Sequence, residues 1–262
     1  VFTQTLVEFL FRLTLGVAAA MGLTDSRQVT SGFFRVHLWV LLGVQTLATL
    51  AVYSSRSTAE GSSSPIWVGQ LFAAIAGAIV SYLGATIWMY EAKMAGKAAV
   101  WLVAALGLAG CTLPILLGNV AHPALQIVDR ITGGALLGFV TTAMLLGHWY
   151  LNTPTMKLQP LWRLIHVLAA VILARALVSA IGVFGHVGSV GPDAVSTSWW
   201  LFYLLRLLPG LGGLMVLVIM TARTLKIPNT QSATGILYAA VILAFIGELA
   251  SQLLSAEASY PI

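Results

Sequence analysis

The chain has 262 residues, of which 59% are hydrophobic and only 8% charged, with a mean hydropathy of +0.94. Soluble domains carry roughly a quarter of their residues as charges, so this composition excludes an ordinary soluble enzyme and predicts a polytopic membrane protein. The net charge of +5 comes from 13 Lys and Arg scattered singly. With no basic run or stripe, nucleic acid is excluded as the partner and the lipid bilayer is left.

A membrane span needs about 20 mostly apolar residues. Eight segments meet that need, at residues 3–23, 31–53, 66–90, 98–118, 127–151, 161–184, 197–223 and 231–254. The predicted fold class is therefore all-α, a helical bundle of about eight transmembrane helices forming a single transmembrane domain over 1–262. Glu8 interrupts the first apolar stretch, which reads as a span and not as a cleaved signal. Within the spans, Gly77/Ser81 and Gly134/Gly138 have the small-xxx-small spacing that lets helix backbones approach in lipid. Pro209, Gly210, Gly212 and Gly213 cluster in the seventh and predict a break there.

Orientation follows from the Lys and Arg of the links. One side carries Arg27, Arg35, Lys93, Lys97, Lys157, Arg163, Arg223 and Lys226; the other carries only Arg56 and Arg130. The first side is predicted cytoplasmic, so both termini lie outside (N-out/C-out), in what the composition suggests is a bacterial cytoplasmic (inner) membrane. Aromatic residues near the span ends, among them Tyr53, Trp67, Trp88, Tyr90, Trp101, Tyr150 and Trp199, fit interfacial belts.

Polar side chains inside the spans fall into two sets. Towards the cytoplasmic side lie His37, His148 and His166, with His148 and His166 on spans joined by a short link. Gly134, Thr141 and His148 recur every seven residues on one stripe of span five. Towards the outer side lie Glu8, Arg12, Arg175, Arg206 and Glu248. Intramembrane charges mark functional sites by default. Glu8 and Arg12 are spaced for an i, i+4 pair, and Glu248 is placed to neutralise Arg175 or Arg206. That leaves one cation over, suited to an anionic group. Arg175 lies nine residues beyond His166, on another face of its helix. His122 and His186 fall in the outer links.

Several chemistries are absent from the sequence. No HExxH, Walker loop, CxxC or CxxCH occurs, and the lone Cys111 excludes a Cys-based metal site. Three function classes lead, with an intramembrane transferase or other enzyme as the remainder. In the first, the chain is the membrane subunit of an electron-transfer complex of respiratory type, binding b-type haem or a quinone and meeting other membrane or peripheral redox subunits. Neutral imidazole is a standard haem ligand, so His148 and His166 are the candidate metal ligands, with His37 as substitute ligand or quinone partner and Arg206 and Arg175 for propionates. In the second it is a small-anion permease or exporter using Arg206 and Arg175 beside the span-seven break. In the third it is a non-catalytic anchor or assembly subunit of a larger complex.

Overall fold

The structure is a computed structural model that describes residues 2–55, 64–153, 155–191, 195–227, 229–258 and 260–262. The Ser-rich link with Arg56, together with Pro154 and Asp193, lies outside the described residues. All of the described regular structure is helical: α1 (Phe2–Leu23), α2 (Ser31–Ser54), α3 (Pro65–Met89), α4 (Lys93–Leu117), α5 (Pro123–Asn152), α6 (Gln159–Val190), α7 (Thr197–Leu207), α8 (Leu214–Leu225) and α9 (Thr230–Glu257). A π-helical segment, Leu208–Gly213, joins α7 to α8, so the described chain holds eight helical units long and apolar enough to cross a membrane. This length and composition make it an integral membrane protein by type. Prolines 65, 123 and 160 open α3, α5 and α6, where the missing N–H would have had no intrahelical partner.

Alternating helices bring the starts of α1, α3, α5 and α7 to one end of the bundle, with the finish of α9. We call it the near end and the other the far end. α1 is central, touching α2, α4, α5 and α9, while α5 touches α1, α4, α6 and α9. Their apolar windows are 72% and 61% buried, against 28% for the α7 to α8 span, and Arg12 and Thr14 of α1 and Asp129 and Thr142 of α5 are buried against protein.

Glycine sets the closest crossings. Gly16 of α1 packs on Gly134 and Gly138 of α5, and Gly77 of α3 meets the Gln45 side chain of α2. Both spaced pairs anticipated in the sequence therefore act at helix contacts. The expected break in span seven takes another form. The helix continues and widens by one residue per turn, which accommodates Pro209 without ending the span. Gly210 then approaches Gly247 of α9 so closely that a Cβ would sit 2.7 Å from its Cα.

One further expectation is corrected, that of His186. Helix α6 runs on to Val190, so His186 lies in its last turns and stacks on Trp199. His122 lies exposed in the link, as expected, capping α5 in the left-handed region (φ 53) and stacking on Tyr260. Trp88, Tyr150 and Trp199 lie near the ends of their helices, as expected, and are buried against neighbouring helices; Trp88 stacks on Phe34 with centroids 4.3 Å apart.

Candidate functional site

The crossings that glycine permits also carry the charges. Arg12 lies one turn before Gly16, Arg206 one turn before Gly210, and Glu248 directly after Gly247. Each close approach therefore delivers charged side chains to the same depth. Asp129 and Arg130 join them from the second turn of α5, Arg175 from mid-α6 and Ser251 from α9. Glu8, Arg12, Arg175, Arg206 and Glu248 converge, as their depths implied.

The ions form a chain of contacts. Glu8 receives Arg130 and Arg12, the latter at 2.6 Å. Arg12 also reaches Asp129 at 2.5 Å and Glu248 at 3.4 Å. Arg175 pairs with Asp129 and grips Glu248 with two donors, Nε at 2.9 Å and Nη2 at 3.1 Å. Its Nη2 also donates to Ser251 Oγ at 2.8 Å, and Ser251 in turn donates to the main-chain oxygen of Ile262. Arg206 Nη2 approaches Glu248 Oε1 at 2.7 Å. That contact is an ion pair with poor alignment, because Nε, Nη1 and Nη2 of Arg206 make no hydrogen bond among the described residues. Arg12, Asp129, Arg175, Arg206 and Glu248 are all buried; Glu8 is 22% exposed and Arg130 16%.

Four guanidiniums thus meet three carboxylates. Sequence reasoning left out Asp129 and Arg130, treating Arg130 as a link residue. The available signal was their adjacency two residues inside a span start, at the depth of Glu8. A cavity of about 380 Å³ opens on the network at the near end, its wall including Glu8, Asp129, Arg130, Gln252 and Ser255. Gln252 is 4% exposed, and neither atom of its amide has a partner among the described residues.

The histidines are distributed differently. His37 is buried, packed on Phe33 and Trp149, and its Nδ1–H donates to the Phe33 carbonyl at 2.5 Å. His148 is exposed and lies 3.4 Å from the Tyr238 hydroxyl of α9. His166 is exposed too, donating through Nδ1–H to the Trp162 carbonyl at 2.7 Å. It lines a second cavity of about 360 Å³ with Leu23, Thr24, Phe139, Arg163 and Val167. The recorded contacts of His148 and His166 are thus with different helices. The seven-residue stripe of span five splits likewise: Gly134 serves α1 while His148 reaches α9. Among the described residues no group of three or more His, Cys, Asp or Glu is arranged to hold a metal ion.

Fold and site together define a class, a bundle of eight membrane-length helices built around a buried, arginine-rich ion network. No protein-family model, curated protein or solved structure matches the chain.

Proposed function

We propose that the chain is a small-anion permease whose substrate site is the arginine-rich network, entered from the near end. One observation carries this reading: four arginines are held against three carboxylates, all but Glu8 and Arg130 buried, and a polar cavity opens onto them. The surplus of guanidinium over carboxylate gives the cavity a cationic wall, on which a small anion finds charge-assisted donors. The π segment adds support, since such segments occur often at functional sites and loosen the backbone beside Arg206. In this reading the near end is the outer face, the Lys/Arg-rich far end is cytoplasmic, and the termini described here lie outside a bacterial cytoplasmic membrane.

The test is thermal unfolding of the purified full chain in nanodiscs with acetate, benzoate or inorganic phosphate. A bound anion at 100 times its Kd stabilises by about 2.7 kcal/mol. The stabilisation is expected to vanish in Arg130→Gln and to persist in Arg223→Gln, at the far end of the bundle. Equal response of both variants, or none in the parent chain, overturns the reading.

A second reading rests on His166. With Nδ1–H committed to a carbonyl, the neutral ring presents Nε2 as an acceptor, next to a largely apolar cavity with Arg163 on its wall. That combination suits a quinol, whose hydroxyl would donate to Nε2. Such a site would make the chain a quinone-binding subunit handing electrons to redox partners. Solvent extraction of the purified protein is expected to yield quinone, reduced at least about tenfold in His166→Leu, the equivalent of one hydrogen bond of roughly 1.4 kcal/mol. Equal quinone in both preparations removes this reading. A dithionite-reduced minus air-oxidised spectrum separately tests b-type haem on His148 and His166.

A further inference from the structure

The three carboxylates of the network are not equivalent. Glu248 is 0% exposed and Asp129 2%, and each is held by at least two buried arginines. Glu8 is 22% exposed, lines the near-end cavity and is shared between Arg12 and the partly exposed Arg130. Of the three, Glu8 alone combines access to the cavity with water contact. The unpartnered Gln252 amide on the same wall offers a donor and an acceptor to whatever occupies the space.

We propose that Glu8 is the coupling carboxylate of the anion site. This rests on the anion-binding reading above. A monoanion entering the cavity takes the place of Glu8 on Arg130, while Arg12 keeps Asp129. Glu8, displaced from its two cations and facing Asp129 nearby, takes one proton from cavity water. No covalent bond to the anion forms. The charge balance closes: four arginines face Asp129, Glu248 and the anion, where before they faced Asp129, Glu248 and Glu8. One anion and one proton therefore enter together, and the network keeps its net charge.

The groups around Glu8 fit this exchange. Arg12 lies on its own helix, and Asp129 and Arg130 come from α5. From α9, Glu248 is reached through Arg12, with Arg175 and Arg206 beyond it. From α4, the titratable group packed beside α1 at this end is the buried Cys111, with Lys93 and Lys97 at the helix's opposite end, and α2 presents Ala48, Ala51 and Val52. Arg130 is the cation that both Glu8 and a cavity anion can reach.

Linkage fixes the sign. If the anion-bound state holds one more proton, binding strengthens as pH falls, by up to about tenfold per pH unit. The experiment is calorimetric titration of acetate into the full chain in nanodiscs, between about pH 6 and pH 8, in two buffers of different ionisation enthalpy. The expected result is uptake of close to one proton per acetate, with a new protonated-carboxyl band in the infrared difference spectrum. Glu8→Gln is expected to bind acetate more tightly at neutral pH, without proton uptake and without that band, and Glu8→Asp to restore both. Acetate binding that depends on Arg130 but takes up no proton overturns the coupling role and leaves the anion site standing. Absence of acetate binding in the parent chain, with benzoate and phosphate also silent, overturns both.

Discussion

Glu248→Ala is expected to be the most damaging single substitution in the bundle, lowering stability by about 3–5 kcal/mol, the cost of removing one partner from a buried ion pair. Glu248 is fully buried and contacts Arg12, Arg175 and Arg206. Its loss leaves four arginines facing two carboxylates, with Arg12, Arg175 and Arg206 themselves buried. Arg206 suffers most, because Glu248 is the one carboxylate recorded against it. Thermal unfolding in detergent, followed by the fraction remaining monodisperse, measures the loss. The double variant Glu248→Met with Arg206→Met is expected to be more stable than Glu248→Ala, since it returns the network to one surplus cation and places apolar volume where two ions had to be desolvated. If the double variant falls below the parent by the sum of the losses of Glu248→Met and Arg206→Met measured singly, the network is not an electrostatic unit.

The reach of the sequence is clearest where burial is dictated by energy. Charges in apolar runs have few places to go, so Arg12, Arg175, Arg206 and Glu248 could be expected to converge from depth alone, at about 1.5 Å per residue. The opposite faces of Arg175 and His166 were likewise legible from helical periodicity, and the structure buries one and exposes the other. Asp129 and Arg130 were not legible, because two charges near a span end are equally compatible with a wet link; only the Gly16 crossing, which draws α5 against α1, decides. Histidine positions also carried less than their number suggested. His148 and His166 occur at similar depth on neighbouring helices, yet helix rotation decides which face each presents, and the packing that sets it, such as Gly147 of α5 against Thr234 of α9, is not readable from spacing. The π segment escaped sequence reading for a related reason: Pro and Gly announce a weak point, but whether the helix breaks or widens depends on what packs against it, here Gly247.

The second large effect is expected at Gly133, a residue with no charge of its own. A Cβ there would lie 2.5 Å from Arg12 Nη1, 2.7 Å from Glu248 Oε2 and 3.5 Å from Arg175 Nη2. Ordinarily Gly→Ala inside a helix stabilises by roughly 0.5–1 kcal/mol, by restricting the unfolded chain and improving helix propensity. At Gly133 the sign is expected to reverse. The atoms a methyl would meet are the ends of long side chains, but each is pinned by ion pairs to other helices, so none can retreat without lengthening a contact. Gly133→Ala is therefore expected to cost about 1–3 kcal/mol, the usual range for overpacking, and Gly133→Val more. Gly43 and Gly235 are the matched controls, since a Cβ at either meets nothing within 4 Å; alanine there is expected to leave stability unchanged or raise it. Thermal unfolding of the three alanine variants side by side decides the matter. If Gly133→Ala melts at or above the parent temperature, the network is slack enough to admit a methyl group. Its arginines would then have room to move apart, and the ion pairs would not be what fixes these side chains where α1, α5 and α9 meet.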